Sequence, residues 1–90
     1  MTEQQPPKIE FPCAGYPIKV IGVDEPGFRA FVIETMQKHV IDFDISTVSE
    51  QGSSKGRFLS IRVKVTATGI NQLKAIHQDL MVSGRVKTVL

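Results

Sequence analysis

The order of apolar patterns along this chain predicts an α+β fold built as strand–helix–strand–strand–helix–strand. Three observations carry the prediction. Val20-Ile21-Gly22-Val23 is an apolar run that meets a corner, Asp24-Glu25-Pro26-Gly27, and a helical spacing starts at Phe28. Residues 59–67 alternate apolar and polar side chains at every step, the period of a strand with one buried face. A second helical spacing then runs through Ile70, Leu73, Ile76, His77, Leu80 and Met81. Right-handed crossovers arrange such elements as a four-stranded antiparallel sheet in the order 4-1-3-2, with two helices on one face. This is the ferredoxin-like two-layer sandwich.

Taken in order, residues 1–10 are polar with a Pro-Pro step and are expected to be a flexible tail, leaving 11–90 as a single domain. The first strand covers residues 16–23, and its near-continuous apolar run suits a central position. Helix one spans about 26–40, with Asp24 or Glu25 as its cap and Phe28, Phe31, Val32, Thr35, Met36 and His39 on one face. The second strand, about 44–50, is polar enough for a sheet edge, and Gln51 to Gly56 form the hairpin loop. On the third strand Leu59, Ile61, Val63, Val65 and Ala67 face the core. Thr68 is placed to cap helix two and Gly84 to end it. In the last strand, 85–90, Val86, Thr88 and Leu90 point inward while Arg85, Lys87 and Val89 point outward.

With 90 residues there is room for one domain, and 41% hydrophobic against 22% charged residues is the balance of an ordinary globule. No apolar run approaches the ~20 residues of a membrane helix, and the first residues lack the charged-then-apolar order of a secretory signal. A cytoplasmic protein without membrane contact is therefore expected. The one cysteine, Cys13, precludes an internal disulfide and reads as an inert side chain. A net charge of +2 is too small to argue for nucleic acid by itself.

The topology brings two loops to one end of the sheet. Asp24, Pro26 and Gly27 start helix one there, beside Ser53, Ser54, Lys55 and Gly56 of the hairpin loop. Backbone N–H groups at a helix start, with two serines and a lysine nearby, suit an anionic or carboxylate ligand, although glycine-rich turns of this kind are also common as plain connections. The second candidate is the sheet face opposite the helices. It collects Lys19, Arg62, Lys64, Arg85 and Lys87, with Ile21, Val23, Phe58 and Val89 among them. Such a face suits an acidic protein, a nucleic acid or another copy of the domain, or is simply solvated.

Other chemistries find little support. Lys55-Gly56-Arg57-Phe58-Leu59-Ser60-Ile61-Arg62 sits where RNA-recognition domains carry their aromatic motif. Its third, fifth and eighth places hold Arg57, Leu59 and Arg62 instead of aromatics, so only nonspecific phosphate contact remains open. There is no Cys-x-x-Cys pair, and His39 and His77 stand on different helices, so no metal or cofactor is implied. Asp42 and Asp44 suit turn formation, no nucleophile elbow is present, and the acidic first loop would repel a phosphate substrate. A non-enzyme is expected.

Two resemblances extend this reading. Asp24-x-Pro26-Gly27-Phe28, followed by Phe43-Asp44-Ile45, resembles the opening of ACT domains, regulatory modules of this fold that often bind amino acids near the first loop. More broadly, Glu10-Phe11-Pro12, Ile18-Lys19-Val20-Ile21-Gly22, Ser53-Ser54-Lys55-Gly56, Ser60, Ala67-Thr68, Ile70, Val86 and Val89-Leu90 resemble the YbeD-like family of small bacterial proteins. That family has no assigned function, and the resemblance implies an ACT-like fold. The expectation is a stand-alone ACT-like regulatory module that binds a small metabolite or a partner enzyme at the Asp24/Lys55 end. Pairing into a homodimer through a sheet edge or helix face is compatible with it. The alternative expectation is a binding protein that uses the basic sheet face.

Overall fold

Strands β1 (Cys13–Val23) and β3 (Phe58–Ala67) pair antiparallel along most of their length at the centre of a four-stranded sheet. Strand β2 (Ser49–Gly52) flanks β3 and β4 (Val86–Val89) flanks β1, giving the order β2-β3-β1-β4. Helices α1 (Phe28–His39) and α2 (Ile70–Val82) complete the βαββαβ order in this computed structural model, which describes residues 11–53 and 55–90. The architecture is the ferredoxin-like α+β sandwich expected from the sequence. The expected tail, 1–10, and Ser54 lie outside the described residues.

Alternation decides which side of the sheet is covered. Ile61, Val63, Val65 and Ala67 on β3 are at most 3% exposed, whereas the residues between them, Arg62, Lys64 and Thr66, are exposed. On β1, Ile18 and Val20 join the same inner layer. The helices close it with Phe28, Val32 and Met36 from α1 and Ile76 and Leu80 from α2. Each large side chain buried this fully contributes on the order of 1.5–3 kcal/mol by leaving water.

Gly22 shows how tightly β1, β4 and α1 meet. A Cβ there would lie 2.5 Å from the Arg85 carbonyl oxygen and 2.6 Å from two atoms of the Phe28 ring. Packing against a backbone and a fully buried ring leaves no room for a side chain.

Several boundaries differ from the sequence expectation, each for a local reason. Helix α1 starts at Phe28, and its cap is Gly27 at φ 86° without a side-chain cap from Asp24 or Glu25. The left-handed Gly27 turns the chain so that the Phe28 N–H donates to the Glu25 carbonyl (3.2 Å), and only a residue without Cβ does this cheaply. At α2, Gly69 is the cap residue, and Thr68 contributes its backbone N–H, donated to Gln72 Oε1 at 2.8 Å, instead of its hydroxyl. Ile70, His77 and Met81 are exposed, so α2 buries a narrower stripe than its spacing indicates.

The second strand is shorter than expected because residues 45–47 form a 3-10 turn. The Asp44 carboxylate accepts from Ser46 N (2.9 Å) and Ser46 Oγ (2.7 Å), giving the backbone a local alternative to the ladder. On β4 the expected parity fails. Val86 stands opposite Gly22, Thr88 opposite Ile21 and Val89 opposite Val20, so Lys87 is an inserted residue. Val89 therefore packs on the core, while Thr88 and Leu90 are exposed.

Candidate functional site

The β1–α1 corner and the β2–β3 loop meet at one end of the sheet. The Asp24 N–H donates to the Arg57 carbonyl at 2.9 Å, which ties the corner to the foot of the loop. Within the loop, Ser53 N–H donates to the Phe58 carbonyl (2.9 Å) and Gly56 N–H to the Ser53 carbonyl (3.0 Å). Ser53 Oγ accepts from the N–H groups of Arg57 and Phe58, both at 3.2 Å. Ser53 thus shapes the loop with its own hydroxyl. Lys55, Arg57 and Phe58 line a shallow hollow of about 300 Å³ beside it.

Arg85 was expected on the open sheet face, but it turns to this end and to the helix layer. Its guanidinium carbon lies 5.7 Å from the centroid of the Phe31 ring, a cation–π distance, and Nη1 would be 3.6 Å from a Cβ on Gly27. It precedes Val86, whose side chain is on the inner face, and the turn after α2 swings it past the strand end. The end of the molecule therefore carries Lys55, Arg57 and Arg85 together with the exposed carboxylates of Asp24 and Glu25. Pro26 and Gly27 are exposed between them. A mixed set of this kind can hold both ends of a zwitterion, where a purely basic one could hold only an anion.

On the open face, Lys19 is directly opposite Arg62, Arg62 is also opposite Ser49, and Pro17 is opposite Lys64. These residues, with Thr47 and Leu90, bound a shallow depression of about 550 Å³. Leu90 reaches it because its backbone exchanges two hydrogen bonds with Lys19, at 2.8 and 3.0 Å. Lys87 and Thr88 share the place opposite Ile21.

One polar cluster has no counterpart in the sequence expectation. His39 Nε2 and Asp79 Oδ2 are 2.6 Å apart across the two helices, and Lys38 Nζ is 3.3 Å from the same oxygen. The hydrogen bond with His39, and then Lys38, hold the Asp79 carboxyl below its ordinary value, against partial desolvation. Gln72 braces the same region by donating to the His39 carbonyl at 3.1 Å. His39 lies 33 residues from Gln72 and 40 from Asp79, so no local pattern announces the cluster. Among the described residues there is no cluster of three His, Cys, Asp or Glu side chains fit to hold a metal ion, and no helix long and apolar enough to cross a membrane.

A four-stranded antiparallel sheet with two helices on one face, and a Pro-Gly corner leading into α1, gives this chain an ACT-like fold. Solved structures share that fold. The ACT domain from GTP pyrophosphokinase of Chlorobium tepidum superposes with a TM-score of 0.64 at 18% identity, covering 86% of this chain and 92% of that one. Protein HP0495 from H. pylori superposes with a TM-score of 0.73 at 17% identity over 99% of this chain and 98% of its own. Within that fold class the chain belongs to the UPF0250 family, matching the family model "Protein of unknown function (DUF493)" over residues 6–90. A UPF0250 protein of Pseudomonas aeruginosa is 57% identical over 86 residues, 96% of this chain and 92% of that protein. Another from Azotobacter vinelandii is 55% identical over 89 residues, covering 99% and 97% of the two chains.

Proposed function

We propose that this chain is a stand-alone ACT-like regulatory module, a cytoplasmic non-enzyme that takes a small zwitterionic metabolite at the end formed by the β1–α1 corner and the β2–β3 loop. The observation that carries the reading is the 2.9 Å bond from the Asp24 N–H to the Arg57 carbonyl. It fixes the helix start beside the loop that carries Lys55, so that a carboxylate and an ammonium group on one ligand find opposite charges within one end of the domain. Asp24, Pro26, Gly27, Ser53, Lys55 and Gly56 form this site in the proposal, and Arg57 and Arg85 add to it. A regulated partner enzyme would read the ligand through the same end. The outer edge of β2, exposed at all four residues, offers a place for a second copy.

The test is a thermal-shift screen of the full chain against free amino acids and related carboxylate metabolites. A ligand at 100 times its Kd adds about 2.7 kcal/mol, and each kcal/mol raises the Tm of a domain this size by roughly 4–8 °C. The expected result is a shift with a free amino acid that is lost in Lys55→Glu. Gly27→Gln should remove it as well, but its φ of 86° makes any side chain strained there, so Lys55 carries the weight. A flat screen, or a shift that survives both substitutions, overturns the assignment.

A further inference from the structure

The open face of the sheet is divided along its length. Toward the corner it is apolar: Val23 stands opposite Phe58 and Ile21 opposite Ser60, with Val23 39% and Phe58 40% exposed. Toward the other end it is basic, with Lys19 opposite Arg62 and Lys64 two residues further along the same face of β3. Like charges directly opposed across a sheet destabilise it, yet the strand positions on this face carry no carboxylate to relieve them. Among the described residues, Lys19, Arg62, Lys64 and Lys87 form no ion pair. The two carboxylates of the segment that leads into β2 and forms it, Asp44 and Glu50, are engaged elsewhere. Glu50 pairs with Arg29 of α1 at 4.0 Å on the opposite face, and Asp44 accepts two hydrogen bonds from Ser46.

We infer that this open face is a docking surface for an acidic segment of another protein, with carboxylates over Lys19, Arg62 and Lys64 and apolar side chains over Ile21, Val23 and Phe58. Charge complementarity selects the partner. The basic half supplies three cations and the hydroxyl of Ser49 around a depression of about 550 Å³, enough to take side chains of an incoming chain. The distance from Val23 to Lys19 is four residues of strand, about 13 Å at 3.3 Å each, so a short extended segment reaches both halves.

Two other occupants fit less well. A second copy docked face to face brings the same cations and no carboxylate at these strand positions, so it offers Lys19, Arg62 and Lys64 no opposite charge. A single-stranded nucleic acid needs a row of aromatics for its bases, and Phe58 is the one aromatic among the strand positions of this face.

Fluorescence anisotropy with the full chain tests the inference. The probe is a labelled peptide in which a pair of leucines is followed by a run of glutamates, compared with a labelled oligothymidylate. The expected result is saturable peptide binding that weakens as salt rises toward physiological ionic strength. Arg62→Glu with Lys64→Glu should weaken it by roughly tenfold or more. Phe58→Ser should weaken it at every salt concentration, and Lys74→Glu, on α2, should leave it unchanged. The neutral pair Arg62→Gln and Lys64→Gln gives a second, milder loss if the reversed pair folds poorly. Absence of peptide binding at low salt overturns the inference. So does binding that ignores the charge reversal, tighter binding of the oligothymidylate, or a dimer in sedimentation that the reversal disrupts.

Discussion

The two faces of one strand teach the most about this molecule. Along β3, Ile61, Val63 and Val65 lie in the core while Arg62 and Lys64, one peptide away, stand in solvent. The inner residues are chosen by packing, since they must leave water against Phe28, Val32, Met36 and Leu80. Folding asks almost nothing of the outer ones beyond strand propensity, so a run of unpaired cations there is free to answer to a partner. The sharpest way to break this contrast is at the core. Phe28→Ala should cost about 3–5 kcal/mol, which is a large share of the stability of so small a domain. Urea unfolding followed by circular dichroism would measure it, and a loss below about 1 kcal/mol would show that the core sits elsewhere.

The next largest effect compares two glycines. Gly22→Ala drives a methyl into the Arg85 carbonyl and the Phe28 ring, at 2.5 and 2.6 Å, so β4 and α1 must both move. We expect a loss on the order of 1–3 kcal/mol, the usual cost of overpacking. At Gly52, on β2, an added Cβ meets nothing within 4 Å. Gly52→Ala should therefore be neutral or slightly stabilising in the same unfolding experiment, since it only reduces the freedom of the unfolded chain.

These contrasts also mark what the sequence made legible. The element order and the core faces of β3 and α1 followed from periodicity, because burial imposes its period on whichever residues touch the core, and the strand order followed from the handedness of crossovers. The part of the basic face on β1 and β3, Lys19, Arg62 and Lys64, was legible for the same reason, as the complement of a regular alternation. What escaped prediction is everything set by a single hydrogen bond or an inserted residue. Lys87 shifts the parity of β4 and sends Val89 inward, and Arg85 leaves the sheet face for Phe31. The Asp44 carboxylate diverts residues 45–47 into a 3-10 turn, and Gly27 displaces the acidic cap. The hydrogen bond of His39 with Asp79 joins residues 40 apart, and only the assembled helices bring them together.

On the open face the expected stability effects are small, and that is the contrast restated in energy. Arg62→Ala and Lys64→Ala remove exposed side chains without ion-pair partners. Each should change stability by no more than about 0.5 kcal/mol. Relief of the repulsion between Lys19 and Arg62 favours a slight gain for the Arg62 variant. Matched denaturation curves would decide the sign. A loss as large as that of Gly22→Ala would mean that the basic face supports the fold, and would remove the reason for assigning it to recognition.

The smallest expected effect lies between the helices and depends on pH. The Asp79 carboxyl is held below its ordinary 3.8 mainly by the hydrogen bond with His39, so its folded-state pKa is lower than its unfolded one. A depressed carboxyl stabilises the fold fully above the unfolded pKa, and that contribution disappears as pH falls through the lower, folded-state value. Asp79→Asn should therefore lower the Tm at neutral pH and converge on the parent protein as the pH is taken well below 4. Melting curves of both proteins across that acid range would show the gap closing from high pH to low. A gap that stays constant with pH would assign the contribution of Asp79 to neutral hydrogen bonding, and α1 and α2 would then be held by their apolar contacts alone.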